Sequence, residues 1–524
     1  MNLSNLSNEV IQHVNEHFTT LREVLVLKHI SRRWFYYDYI TKMSAQEYTH
    51  FPRFKPILNI TDNLSAYNPM IYGLEYYNKT ARELLTSDYI RLFTQLKYLK
   101  CHEALINDED LSYLQKLTYL ECKLCDKLTP VGFSHLSKLE VLKIEFQFYS
   151  KTDVIGLLPN LKELELFNTN IGDNWFKSFP KLQSLKLRLC YNITDKGLSY
   201  LTQLTKLSLI KCPNITDNGL SQLVNLMDLY LDSSVITDEG IKYLTKLTHL
   251  DISECKNNIT NEGIENLIQL KYLRLSPYIL DGALKNLIHL TYLFVPPKIK
   301  RDRYDYNFYP CMTNEGIKHL TKLRTLKCIQ SGIVINDDLN QLTELNYIMT
   351  SSFEYNGSGH FNNITKLKCY NPPSADGIKY LSKLKHLECK SCDSFTDDII
   401  KGLKSLTYLD CTYSFKITDE GIKELTELTH LSCPKSTISD RGIMYLTKLT
   451  YLDCTKCDNV TDASITLLTN LTHLICTYCF SIRFDSIRTL SNLRFLVCDL
   501  FRISRNDLRQ LPSLKKVYDL HSIN

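Results

Sequence analysis

Residues 417–433 read ITDEGIKELTELTHLSC, and this stretch decides the fold because the same phrase returns along most of the chain. It recurs as ITDNGLSQLVNLMDLYL at residues 215–231 and as ITDEGIKYLTKLTHLDI at residues 236–252. From about residue 86 to the end of the sequence, twenty such units follow one another, most of them 21 or 22 residues long. A fixed period of this length predicts a stack of similar small structural units.

One unit contains the pattern of a strand and the pattern of a short helix. Leu431 and Cys433 alternate with polar residues, which is the period of a half-buried strand. Ahead of them, Thr418 can cap the backbone N–H groups of a helical turn that leads to Leu425. No unit can bury its apolar edge alone, so neighbouring units must stack. The predicted fold class is α/β: a curved solenoid with a parallel sheet on its concave face and short helices on its convex face.

Composition limits the classes of partner. The chain has 524 residues, and its 62 Lys and Arg against 57 Asp and Glu give a net charge of only +5. That excess is too small to indicate a protein that coats nucleic acid or an anionic membrane. The first residues lack the basic start and apolar core of a secretory signal, and no run of about 18 apolar residues follows. We therefore expect an intracellular protein, cytoplasmic or nuclear and not secreted, with no nucleic-acid or membrane partner.

The units resemble the leucine-rich repeat, L-x-x-L-x-L-x-x-[NC], in the cysteine-containing variety in which ITDxG[IL] follows the cysteine. One unit matches that pattern position by position at Leu204, Leu207, Leu209, Cys212, Ile215, Thr216 and Asp217. The resemblance covers roughly residues 86–524 and implies a leucine-rich-repeat solenoid of about twenty units. A basic and aromatic insertion at residues 296–311 interrupts the period and is too polar for the core, so we expect it to loop outward.

The cysteines include four CxxC pairs: Cys122/Cys125, Cys389/Cys392, Cys454/Cys457 and Cys476/Cys479. The last two pairs have the spacing of a zinc site when taken in isolation. The repeat register offers another interpretation, because ten cysteines fall on the sixth position of a unit and seven on the ninth, counted from its first leucine. Both positions face inward, where a thiol acts as a small apolar side chain. We therefore predict structural cysteines with no metal and no cofactor, and keep zinc at the last four as the alternative.

Side chains at the third position of each unit should face outward on the sheet. In six successive units these are His386, Tyr408, His430, Tyr451, His473 and Phe495. Neighbouring strands lie about 4.8 Å apart, so the six side chains should form one contiguous ladder. Exposed aromatic side chains are enriched at protein interfaces, and we therefore predict that the ladder binds a target protein. The alternative is that these residues only support one another across neighbouring strands.

Residues 1–47 do not follow the repeat and resemble an F-box, L-P-x-E-[IV] followed by L-x-x-[VI]-[CS]-[KR]-x-W. Ser7 stands where the F-box usually has Pro. The resemblance assigns contact with the linker subunit to Leu6, Glu9, Val10, Ile11, Val14, Leu27, Ile30 and Trp34. Residues 48–85 would then be a linker or an N-terminal cap of the solenoid.

An F-box before a cysteine-containing leucine-rich array is the layout of F-box/LRR proteins. The resemblance implies the substrate receptor of a Skp–cullin–F-box ubiquitin ligase, with a Skp-type linker subunit and an unknown target protein as partners. No P-loop, HExxH, GxSxG or GxGxxG motif occurs, so we expect an adaptor and not an enzyme. The alternative function is a leucine-rich protein-binding scaffold with no connection to a ubiquitin ligase.

Overall fold

The computed structural model describes residues 73–77, 90–91, 93–125, 127–145, 158–232, 235–255, 258–297, 312–355, 361–370, 376–392, 394–499 and 505–519. These residues form two compact units that divide between Leu247 and Thr248. The F-box-like segment 1–47 and all but the first two residues of the 296–311 insertion lie outside the described residues. Within the described ranges, no helix has the length and hydropathy needed to cross a bilayer.

The first unit is a parallel sheet of strands in chain order, each paired with the next. Its strands are β1 Gly73–Tyr77, β2 Tyr98–His102, β3 Tyr119–Lys123, β4 Val141–Glu145, β5 Glu163–Phe167, β6 Ser184–Arg188, β7 Lys206–Ile210 and β8 Asp228–Asp232. The helices between them are α1 Asp108–Ser112, α2 Pro130–Phe133, the 3-10 turn Asp173–Ser178, α3 Asp195–Ser199, α4 Asp217–Leu220 and α5 Asp238–Ile241. Strand β1 lies within residues 48–85, so the sheet begins ahead of the first recognisable repeat.

The second unit repeats the arrangement, again with parallel strands in chain order. Its strands are β9 His249–Glu254, β10 Tyr272–Arg274, β11 Tyr292–Phe294, β12 Thr325–Cys328, β13 Tyr347–Thr350, β14 Lys366–Cys369, β15 His386–Glu388, β16 Tyr408–Asp410, β17 His430–Ser432, β18 Tyr451–Asp453, β19 His473–Ile475, β20 Phe495–Cys498 and β21 Lys516–Asp519. Strands β11 and β12 pair directly, so the insertion between them does not interrupt the sheet.

Short helices cover the other side of the sheet in this second unit. They are α6 Asn261–Ile264, the 3-10 turn Asp281–Leu284, α7 Asn314–Ile317, the 3-10 turns Asp337–Leu339 and Asp376–Tyr380, α8 Asp397–Ile400, α9 Asp419–Ile422, α10 Asp440–Ile443, α11 Asp462–Ile465, α12 Phe484–Ile487 and α13 Arg505–Leu508. Each of the twenty predicted phrases supplies one strand, β2 to β21. The predicted fold class, a leucine-rich-repeat solenoid, is therefore confirmed.

Burial alternates along most strands as the period of two requires, although Asp410 in β16 and Ser432 in β17 are buried as well. In β2 the side chains of Leu99 and Cys101 are buried, and their neighbours on the strand are partly exposed. The same leucine and sixth-position columns continue through both units, where Leu431 in β17 and Cys433 directly after it are fully buried. The core of each unit is therefore a set of parallel apolar columns between the sheet and the short helices.

The ITD phrase builds a hydrogen-bonded chain between successive repeats. The carboxylate of the Asp at the start of one helix accepts two hydrogen bonds from the capping residue of the next repeat. One comes from the backbone N–H and one from the side-chain hydroxyl, at 2.5–2.8 Å. This occurs in the pairs Asp108–Thr129, Asp173–Thr194, Asp195–Thr216, Asp217–Thr237, Asp281–Thr313, Asp397–Thr418, Asp419–Ser439 and Asp440–Thr461. The capping hydroxyl in turn accepts an N–H of its own helix, as Thr418 does from Glu420. The phrase therefore holds each repeat to its neighbour as well as starting a helix.

The glycine of ITDxG leaves room for that carboxylate. A Cβ built on Gly442 would lie 2.6 Å from Oδ1 of Asp419, and one on Gly240 would lie 2.5 Å from Oδ1 of Asp217. Where the phrase has Ser464 instead, its hydroxyl donates a hydrogen bond to Asp440 at 2.5 Å. The spacing that recurs within the phrase thus fits the contact with the preceding repeat.

In about half of the repeats the chain leaves the strand through a residue in the left-handed backbone region. Eleven residues, none of them glycine, have φ between 51° and 59°: Glu103, Leu124, Asn168, Leu189, Lys211, Gln330, Ser391, Tyr413, Lys435, Lys456 and Tyr478. All occupy the eighth repeat position. Hydrogen bonds to the next repeat compensate the strain, as when the N–H of Lys435 donates to the carbonyl of Thr455 at 2.9 Å. The turn brings the ninth-position side chain back beneath the sheet.

Candidate binding surface on the sheet

Six rings stand at the same position of six successive strands, β15 to β20, and we call them the ring column: His386, Tyr408, His430, Tyr451, His473 and Phe495. From the first pair to the last, ring centroids are 3.8, 4.6, 3.8, 5.9 and 4.3 Å apart. Four of these contacts are within 15° of parallel, and the Tyr451–His473 contact is tilted by 33°. The predicted ladder is therefore one continuous stack in the structure. All six rings are half-buried.

Stacking decides which parts of the rings a partner can reach. Each interior ring has its faces covered by its neighbours, so the column offers ring edges, hydroxyls and imidazole nitrogens. Within the described ranges, no side chain hydrogen-bonds to the ring nitrogens of His430 or to the hydroxyls of Tyr408 and Tyr451. The centre of the column therefore carries three side chains with unused hydrogen-bonding groups.

Carboxylates run beside the column at the fifth repeat position. Glu388 accepts a hydrogen bond from the ring of His386 at 3.0 Å and forms an ion pair with Lys368 at 2.7 Å. Asp410 is 4% exposed and pairs with Lys390 at 2.8 Å. These acids are therefore already neutralised and hold their neighbours in place.

Burial keeps the imidazoles of the column uncharged near neutral pH. It lowers the pKa of His386 by more than the contact with Glu388 raises it. Burial, assisted by the neighbouring histidines, lowers the pKa of His430, and burial with Arg494 nearby lowers the pKa of His473. Neutral rings stack without charge repulsion, which favours the observed geometry.

Two further groups beside the column titrate abnormally because they are buried. Burial raises the pKa of Tyr451 to about 12, with the carboxylate of Asp453 adding to the effect. Burial also raises the pKa of Asp453, although Thr455 donates two hydrogen bonds to it at 3.1 and 2.7 Å. Tyr451 therefore keeps its proton and can donate a hydrogen bond to a partner.

Comparisons with known proteins agree with this architecture. The family model described as Leucine Rich repeat matches residues 243–267. The crystal structure of the TLR13-ssRNA13 complex is similar at 20% identity and a TM-score of 0.56, over 81% of this chain and 70% of that chain. The fold is a leucine-rich-repeat solenoid. No curated protein matches the chain.

Two further solved structures align with lower scores. One is an internalin (inlF) from Listeria monocytogenes, at 19% identity and a TM-score of 0.32 over 71% of this chain and 94% of that chain. The other is the plant peptide hormone receptor RGFR1 in complex with RGF2, at 15% identity and a TM-score of 0.32 over 81% of this chain and 90% of that chain.

The second unit carries a second, shorter stack of rings, also at the third repeat position. His249, Tyr272 and Tyr292 lie on β9, β10 and β11, with ring centroids 5.7 and 4.2 Å apart. Beside them, Arg274 pairs with Asp251 at 3.4 Å. This stack gives a matched reference for the ring column because it has the same repeat position and chemistry.

The first unit has a different outward surface, which sequence reasoning missed. Its fifth positions alternate in charge along five strands: Lys100, Glu121, Lys143, Glu165 and Lys186. Lysine nitrogens lie 2.7–3.9 Å from the carboxylates of adjacent strands. Reading the fifth position down the repeats would have revealed this alternation. These lysine and glutamate side chains form ion pairs with one another, so this face presents few unpaired charges to a partner.

The seventeen cysteines in the described ranges are all buried. The prediction that sixth- and ninth-position thiols face the core is therefore confirmed for these residues. The four cysteines of the zinc alternative do not converge: Cys479 Sγ is 3.9 Å from Cys454 Sγ, whereas Cys457 Sγ donates to the carbonyl of Cys433 at 3.0 Å. Among the described residues, one other trio of sulfurs does converge, at Cys101, Cys122 and Cys125.

Proposed function

We propose that this protein is a non-catalytic adaptor that binds a target protein through the ring column. The observation that carries the proposal is the continuous stack of six rings with unused hydrogen-bonding groups on Tyr408, His430 and Tyr451. Half-buried tyrosines supply contact area at low entropic cost, because few torsions remain to be fixed on binding. Glu388 and Asp410 are already in ion pairs with Lys368 and Lys390, so these two acids add little electrostatic cost to docking.

The dimensions of the ring column fit an extended segment of the target. Six strands at about 4.8 Å spacing give a column about 24 Å long. An extended chain advances about 3.3 Å per residue, so about seven residues would cover it. Main-chain groups of such a segment can bond to the tyrosine hydroxyls and to the His430 ring.

The adaptor would connect its target to a ubiquitin ligase. The F-box-like segment, through Leu6, Ile11 and Trp34, would dock on the Skp-type linker subunit of a cullin ligase. This part of the proposal rests on the sequence resemblance. The solenoid would hold the target near the ubiquitin-charged enzyme, so that the rate gain comes from proximity and the adaptor contributes no reacting group.

A pulldown tests the ligase connection. Full-length protein should retain a purified Skp-type linker subunit, and the combined change of Leu6, Ile11 and Trp34 to Ala should abolish retention. Replacing Tyr272 and Tyr292 by Ala gives a control that should retain the linker as the wild type does. Failure of the wild type to bind, or full retention by the triple variant, would leave the second candidate, a binding scaffold without a ligase connection.

A further inference from the structure

Three thiols of the first unit converge in its core. Cys101 and Cys122 occupy aligned sixth positions of β2 and β3, and their Sγ atoms are 3.6 Å apart. The turn through Leu124 returns Cys125 beneath the sheet, with its Sγ 3.7 Å from that of Cys101. All three sulfurs lie within 4.8 Å of one another, and each residue is at most 2% exposed.

The spacing suits a single ion between the sulfurs. A metal about 2.3 Å from each sulfur gives sulfur–sulfur separations of about 3.8 Å in tetrahedral geometry and about 4.0 Å in a planar trigonal arrangement. The two contacts to Cys101 need to lengthen by only a few tenths of an ångström. Side-chain rotation can supply such a change without moving the strands.

Other repeats provide an internal comparison, because they place a ninth-position thiol by the same turn. Cys457 donates to the carbonyl of Cys433 at 3.0 Å, and Cys479 to that of Cys454 at 2.9 Å. Cys125 has longer contacts to backbone carbonyls, 3.7 Å to that of Cys101 and 3.4 Å to that of Lys123, and its sulfur also lies 3.7 Å from the Cys101 sulfur. In the described residues this is the one group of three or more potential ligands whose donor atoms all converge.

We propose that Cys101, Cys122 and Cys125 form a binding site for one thiophilic ion that accepts three sulfur ligands, namely Cu(I). Soft thiolates select Cu(I) and zinc over harder metals. Structural zinc takes four ligands, and no fourth Cys, His, Asp or Glu donor of the described residues joins these three. Each ligating sulfur must be a thiolate, so binding releases the protons of all three thiols, and three thiolates with one Cu(I) carry a net charge of minus two.

Competition with a Cu(I) chromophore tests the site in the reduced full-length protein without oxygen. The wild-type protein should keep one more equivalent of Cu(I) from the chromophore than the Cys125→Ala variant does. X-ray absorption should detect three sulfur neighbours around the bound copper. Cys479→Ala is the matched control: it removes a thiol from the same repeat position and should bind as much Cu(I) as wild type. Equal binding by wild type and Cys125→Ala would overturn the proposal.

Two more measurements keep the test decisive if Cys125→Ala folds poorly. One equivalent of Cu(I) should raise the melting temperature of the wild type, and of Cys479→Ala by a similar amount. The sulfur count around copper in the wild type must also be three. A count of two, no thermal shift, or retention of Zn(II) in preference to Cu(I) would each overturn the assignment.

Discussion

The ring of His430 lies 3.8 Å from that of Tyr451, and the two ring planes differ by only 7°. The residues are separated by one whole repeat in the chain but are directly aligned in the sheet. Tyr408 covers the opposite face of the His430 ring at 4.6 Å. The central imidazole is thus fixed by two neighbours while its nitrogens stay available, which is the geometry expected of a preformed contact point.

Removing this ring should weaken the fold locally. We expect His430→Ala to lower the free energy of unfolding by about 1–3 kcal/mol, since each aromatic pair contributes roughly 0.5–1.5 kcal/mol. His430→Phe keeps both stacking contacts and should cost less than about 1 kcal/mol. Urea unfolding followed by circular dichroism measures both values. Equal losses in the two variants would mean that stacking contributes nothing at this position.

Stability should fall as the solution is acidified, through the histidines of the ring column. Their pKa values in the folded state lie below the ordinary 6.5. The unfolded chain therefore binds protons first, and the stability present above about pH 6.5 declines as the pH falls through the lowered pKa values.

Comparing wild type with His430→Phe isolates the contribution of one ring. Asp453 acts in the opposite direction, because its raised pKa favours the folded state at low pH, and it is present in both proteins. The melting temperature of the wild type should drop more than that of His430→Phe between about pH 7.5 and about pH 5. Parallel curves for the two proteins would contradict the assigned pKa direction.

The contact between Asp419 and Gly442 predicts a coupled pair of substitutions. Gly442→Ala should destabilise the protein by about 1–3 kcal/mol, because its Cβ would meet the carboxylate of the preceding repeat at 2.6 Å. In an Asp419→Ala background the added cost should be smaller, since the carboxylate oxygen is gone. Gly282→Ala is the control, because its Cβ would lie 3.5 Å from Asn261, an ordinary contact. A double-mutant cycle with no coupling would show that the carboxylate does not set the glycine requirement.

Much of this architecture could be predicted because a fixed period determines burial. Once Leu428 is placed at the first position, the inward direction of Cys433 and the outward direction of His430 follow from alternation along the strand. The alignment of Tyr408, His430 and Tyr451 follows equally, because parallel strands in chain order bring equal repeat positions together.

The remainder depends on contacts that no single repeat encodes. Glycine is required at position 442 because a Cβ there would contact the carboxylate of Asp419 in the preceding repeat. The convergence of Cys101, Cys122 and Cys125 depends on side-chain torsions, since Cys454 and Cys479 share the repeat positions of Cys101 and Cys125 without gathering a third sulfur. Spacing alone favoured the later CxxC pairs as a metal site, whereas the structure brings three sulfurs together elsewhere.

Target capture by the ring column is the most direct test of the central claim. The measurement is crosslinking of co-purified target to full-length protein, comparing wild type with a variant in which Tyr408, His430 and Tyr451 are all replaced by Ala. Tyr272 and Tyr292 replaced together by Ala control for loss of stacked aromatics elsewhere on the same unit. We predict that the triple variant stays folded and loses at least about tenfold in capture, as expected for contacts worth about 1.4 kcal/mol or more, while the control captures normally. Undiminished capture by the folded triple variant would contradict the account.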